Sequence, residues 1–170
     1  MKVFFFLLSL ILLSSCQEKK AEKEILTKGY NEQIEVYNFD QLQEFLGSDD
    51  DQLYVVNFWA TWCKPCIKEL PYFEEVQSDY GDKIRVVLVS LDFPNKLESQ
   101  LIPFVKKMNL QSEVVLLDDP YENEWIPKLD ATWSGAIPAT LIFKGSKKKF
   151  YERSFTKEEL EYEIEHFTKL

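Results

Sequence analysis

Leu53-Tyr54-Val55-Val56-Asn57-Phe58 is apolar on both faces, and Trp59-Ala60-Thr61-Trp62-Cys63-Lys64-Pro65-Cys66 follows it directly. A run without polar alternation reads as a central strand buried on both sides. Beyond it, Ile67, Leu70, Phe73 and Val76 recur at helical spacing, so the cysteine pair falls where a strand passes into a helix. Two thiols spaced one turn apart at such a junction can form and break a disulfide.

The remainder of the chain alternates in the same way. Residues 34–37 have period two, a short strand, and residues 39–46 put Phe39, Leu42, Phe45 and Leu46 on one helical face with Asp40 in the first turn. Gly47 and the acidic run Asp49-Asp50-Asp51 end that helix in a solvated loop. Pro71 is expected to kink the helix that carries Cys66, because proline cannot donate to the Ile67 carbonyl. Residues 84–91 read as a second buried strand. Leu97, Leu101, Phe104, Val105 and Met108 then mark an amphipathic helix. A short strand over 114–117 and a helical segment over 121–129 follow. Residues 139–143 and 149–153 read as two strands joined through Gly145-Ser146, and Thr156 caps a last helix, with Glu159 completing a capping box. Such alternation specifies an α/β sandwich, and the final hairpin makes its sheet mixed. No internal repeat or second linker is visible, and 170 residues accommodate one domain of ordinary size.

Of three cysteines, Cys16 belongs to a segment of another kind. Lys2 is positive, residues 3–13 are apolar apart from Ser9, and Leu13-Ser14-Ser15-Cys16 is similar to a bacterial lipobox. The apolar stretch has the length of a signal-peptide core and is short for a membrane span. Residues 1–15 are therefore expected to be a lipoprotein signal peptide, and Cys16 the lipidated residue, whose acyl chains would anchor the protein stably. An ordinary secretory signal with a chance cysteine, or an uncleaved anchor, are the alternatives. Residues 16–33 are polar and read as a flexible tether, leaving residues 34–170 as the folded domain. The formal net charge is −9, and residues 1–15 contribute only Lys2 to it. That balance argues against nucleic acid and against charge-driven binding to an anionic membrane.

With Cys16 assigned to lipid, Cys63 and Cys66 are the free thiols. A bridge closing so short a loop adds little stability, so reactivity explains the pair better. A zinc ribbon needs a second pair or histidines at helical spacing, and the chain has one histidine, His166. A c-type haem site needs His after the second cysteine, where Ile67 stands. An inert structural pair is the remaining alternative. Disulfide exchange requires a thiolate and a resolving thiol. Unpaired N–H groups at a helix N-terminus stabilise negative charge on Cys63, Lys64 adds a nearby positive charge, and Pro65 presets a helical φ. Cys63 is the expected nucleophile and Cys66 the buried resolving thiol, with no cofactor and no metal.

The string from Phe58 to Cys66 resembles the active-site segment of thioredoxin-like proteins, and more specifically the membrane-attached TlpA/ResA type of thiol-disulfide oxidoreductase. The likeness extends to Glu69-Leu70-Pro71, to Val89-Ser90-Leu91-Asp92 and to Gly135-Ala136-Ile137-Pro138-Ala139-Thr140, and covers residues 34–170. It implies a thioredoxin fold: a mixed central sheet flanked by helices, with a helical insertion over residues 96–129 and an N-terminal extension. It also implies that Pro138 is a cis-proline whose loop faces the cysteine pair, the backbone of Ile137 pairing with an extended substrate segment. Read without the resemblance, Pro138 would simply start an edge strand. Trp62, Ile137 and Pro138 are thus the expected substrate contacts. Typical thioredoxins have a buried Asp where this chain has Asn57. In the TlpA/ResA type a Glu three residues past the second cysteine lies near the pair, and Glu69 matches it. A partly buried Glu69 would have a raised pKa suited to proton exchange with Cys66. By spacing alone Glu69 reads as a solvated helix residue. Trp133 reads as core or as a wall of the substrate groove, His166 as a surface residue, and Lys147-Lys148-Lys149 as a solvated turn.

The expected activity is reduction of disulfides in exported proteins on the outer side of a bacterial membrane. By resemblance apocytochrome c is the best-known client, and electrons arrive from a membrane thiol-disulfide donor. The reverse direction, an oxidase or isomerase, is the first alternative. Lys64-Pro65 lacks the His typical of strong oxidants of this fold. A peroxiredoxin-like peroxidase would place Thr three residues before its cysteine, where this chain has Ala60. A lipoprotein that only binds a partner is the non-enzymatic alternative.

Overall fold

The computed structural model describes residues 33–47 and 52–168. The signal peptide and lipidation site expected at residues 1–16, the tether apart from its last residue, and Asp49-Asp50-Asp51 lie outside the described residues. The elements run β1 (Glu35–Tyr37), α1 (Phe39–Leu46), β2 (Leu53–Trp59), α2 (Lys64–Tyr80), β3 (Ile84–Ser90), α3 (Ile102–Met108), β4 (Glu113–Leu117), α4 (Glu122–Leu129), β5 (Ala139–Lys144), β6 (Lys147–Tyr151) and α5 (Lys157–Thr168). The sheet has the order β1-β4-β3-β2-β5-β6. Its first four strands are parallel, and β5 and β6 join antiparallel, so the sheet is mixed as expected.

All seven residues of β2 are buried, which the unbroken apolar run requires. Strand side chains alternate between faces. Tyr54, Val56 and Phe58 face a core shared with Phe39 and Leu42 of α1, Trp125 of α4, and Trp133. Asn57 and Trp59 face the other way, onto α2 and α3: Asn57 bonds Glu69, and the Trp59 ring lies 5.5 Å from that of Phe104. The site therefore forms at the end of β2, between two helical layers. Among the described residues no helix is long and apolar enough to cross a membrane.

Two local expectations change. The amphipathic segment around residues 97–108 is not one α-helix but a 3₁₀ turn (Pro94–Lys96), a π turn (Leu97–Leu101) and then α3. Pro103 has no N–H to close a regular bond, and the Ile102 N–H reaches back to the Leu97 carbonyl, widening the turn. Strand β6 begins two residues earlier than expected, since Lys144 pairs with Lys147 across a two-residue turn in which Gly145 has φ 55°. At α1, Asn38 and Gln41 form a capping box, with reciprocal bonds of 2.9 and 3.0 Å. The box at Thr156 and Glu159 is present as expected.

Candidate functional site

Cys63 caps α2 and is disulfide-bonded to Cys66. Its Sγ accepts the N–H of Cys66 at 3.3 Å, so a free N–H at the helix start already points at this sulfur. Cys63 is 5% exposed and Cys66 fully buried, which leaves Cys63 as the sulfur within reach of another molecule. Trp62 beside it is exposed.

The Ile137–Pro138 bond is cis. The Ile137 carbonyl oxygen lies 3.8 Å from Cys63 Sγ, so the loop before β5 faces the pair. That loop is tied down from both sides. Trp133 Nε1 donates to the Ala136 carbonyl at 2.8 Å, and Ser134 donates through both its N–H and its hydroxyl to Glu152. Trp133 combines both roles read for it, because it packs in the core against Phe58 and also lines a groove beside the loop.

Glu69 is buried one turn past Cys66, which removes the solvated reading of it. Its Oε1 accepts from Asn57 Nδ2 at 2.9 Å and its Oε2 from the Phe155 N–H at 2.8 Å. Burial penalises its charged form and pushes the carboxyl up to about 7, against the two hydrogen bonds and the Arg153 charge, which favour ionisation. Asn57 Nδ2 also reaches Thr140 Oγ1 at 3.2 Å, so the amide ties β2 and β5 to α2.

The sequence marked Asp92 only as part of a matching string. In the fold it is buried and grips the turn that leads into the pair. It accepts the Thr61 N–H at 3.0 Å, the Thr61 hydroxyl at 2.5 Å and the Ser90 hydroxyl at 2.9 Å. Gln100, in the π turn, donates to Thr61 Oγ1 at 2.6 Å and links the insertion to the same turn. A charged residue at the end of an apolar strand was the available signal. The other candidates stay apart from the site. His166 is exposed on α5, Lys148 Nζ donates to the Leu129 carbonyl, and Lys149 pairs with Glu163.

Comparison with known proteins gives a consistent result. A family model described as AhpC/TSA family matches residues 27–148. The thioredoxin-like protein YneN of Bacillus subtilis is 33% identical over 113 residues, 65% of this chain and 62% of that protein. A thiol-disulfide oxidoreductase ResA of Bacillus thuringiensis is 33% identical over 98 residues, 58% of this chain and 50% of that protein. The chain thus spans between half and two thirds of these relatives. The exposed lipoprotein thioredoxin Etrx1 of Streptococcus pneumoniae superposes with a TM-score of 0.54 at 19% identity, covering 74% of this chain and 90% of that one. The fold is thioredoxin-like.

Proposed function

This chain belongs to the AhpC/TSA family, and we propose that it is a thiol-disulfide oxidoreductase that reduces disulfides in exported proteins. The observation that carries this reading is the Cys63–Cys66 disulfide at the start of α2, with the Ile137 carbonyl 3.8 Å from Cys63 Sγ. The relatives named ResA support the same chemistry.

In the reduced protein the Cys63 thiolate attacks a client disulfide. One client sulfur leaves and takes up a proton from water, and a mixed disulfide joins Cys63 to the client. The client segment pairs in extended form with the backbone at Ile137, beside Trp62 and Pro138. Cys66 gives its proton to the Glu69 carboxylate and attacks Cys63 Sγ, expelling the second client sulfur, which is protonated in turn. Two electrons pass from the dithiol to the client, and the Cys63–Cys66 disulfide remains. A carboxyl near pKa 7 is matched to proton exchange at neutral pH. Ala60 offers no hydroxyl three residues before Cys63, which weighs against a peroxidase.

The setting we propose is the bacterial cell envelope, with the chain held to a membrane by lipid on Cys16 and facing outward. The lipobox-like string supports it, as does the lipoprotein nature of Etrx1. A membrane thiol-disulfide donor would restore the dithiol, and apocytochrome c cysteines are the leading clients by resemblance. The test is the reduction potential of the pair, read by equilibrating the chain in glutathione or dithiothreitol buffers. A value of about −250 mV or lower supports a reductase, whereas about −120 to −180 mV makes it an oxidant or isomerase.

A further inference from the structure

A groove of about 660 Å³ opens beside the cysteine pair, between Trp62, the cis-proline loop and the segments that follow β3 and β4. Its composition is one-sided. Asp92, Asp118, Asp119 and Glu122 line it, and no lysine or arginine does so among the described residues. Asp92 is buried and engaged by Thr61 and Ser90. Asp119 is engaged too, accepting the Phe39 and Tyr121 N–H groups. Those bonds, with Trp125 Nε1 on the Asp119 carbonyl and the Asp118 N–H on the Tyr37 carbonyl, fix the loop after β4. Asp118 on that loop and Glu122 at the start of α4 remain exposed.

A second observation concerns the same place. Trp62 and Phe93, both lining the groove, are 56% and 68% exposed, and Tyr121, between lining residues Pro120 and Glu122, is 65% exposed. Most large apolar side chains of this domain are buried, so exposed aromatics gathered around one groove mark a contact surface for another chain.

We propose that this groove selects client segments that are cationic, with Lys or Arg side chains flanking the cysteine to be reduced. The inference rests on the oxidoreductase reading and names its substrate class. Trp62 and Phe93 offer apolar surface and π faces to Lys and Arg stems, and Asp118 and Glu122 offer the opposite charge. A client bearing Asp or Glu there meets like charge in a cleft that no base lines among the described residues.

The test measures binding separately from redox chemistry. Fluorescence anisotropy is recorded for the oxidised full chain with two labelled peptides in which Ser replaces Cys. They differ only in flanking Lys or flanking Glu. The Lys peptide is expected to bind about tenfold tighter at low salt. That ratio is expected to fall to within about twofold in the Asp118→Asn, Glu122→Gln double variant, and also for the unaltered chain in high salt. Equal affinities for the two peptides, or a ratio unchanged by both the substitutions and salt, would overturn the proposal. Reduction of hydroxyethyl disulfide, small and uncharged, is followed in parallel. Its absence would sink the oxidoreductase reading, while the peptide ratio still judges the groove.

Discussion

Asn57 Nδ2 lies 2.9 Å from Glu69 Oε1, so a buried carboxyl one turn past Cys66 is held by a neutral amide. An amide donates to the carboxylate without competing for its proton. That leaves desolvation as the dominant influence on Glu69, and the group titrates near neutrality.

The first prediction concerns stability against pH. Below pH 4.5 the folded and unfolded chains both hold the Glu69 proton. Between pH 4.5 and about 7 the folded chain keeps a proton that the unfolded chain releases, so stability falls as pH rises and levels off above that window. The fall is on the order of 3 kcal/mol. Glu69→Gln is expected to lack it, so its stability relative to the unaltered chain should climb by that order between pH 4 and 8 in urea titrations. A constant difference across this range would place the Glu69 pKa at its ordinary value.

The two cysteines should separate by substitution. Cys66→Ser leaves an attacking thiol without a resolving one, so a mixed disulfide with a disulfide-bearing peptide should accumulate and be seen as an added mass. Of the pair, Cys63→Ser retains only the fully buried sulfur, and adduct formation at the pair should fall at least about a hundredfold, since attack requires an accessible thiolate. Comparable adducts from both variants would sink the assignment of Cys63 as nucleophile.

Asp92→Asn turns one acceptor oxygen into a donor facing the groups that now donate to Asp92. Leaving such bonds unmade costs about 1–3 kcal/mol. The loosened Thr61 turn should also slow exchange with a peptide client. Thermal unfolding and stopped-flow kinetics on the same variant check both outcomes, and wild-type values in each would remove the positioning role.

Cys16→Ala tests the anchor apart from the chemistry. In fractionated cells the unaltered chain is expected with membranes and the variant in soluble fractions, with hydroxyethyl disulfide reduction retained. An unchanged distribution would mean that something other than lipid on Cys16 holds the chain.

What could be read from the sequence was local. The burial of β2, the face of α1 and the capping box at Thr156 follow from residues within a few positions of one another. The cis form of Ile137–Pro138 came only through family resemblance, because spacing carries no signal for it. The grip of Asp92 on Thr61 was hidden, since its partners meet only when β2 and β3 pair and bring their ends together. The same holds for Phe155 on Glu69, 86 residues apart. The π turn escaped because apolar spacing at 97, 101, 104 and 105 fits a helix, while Pro103 spoils the hydrogen bonding beneath it.

The Phe155 N–H that holds Glu69 Oε2 comes from the stretch between β6 and α5, beyond residue 148, where the family match ends. The acidity of the site is therefore partly a property of the chain's tail end. Lengthening or shortening that connection by a residue is expected to shift the Glu69 carboxyl even with every side chain around the cysteines unchanged.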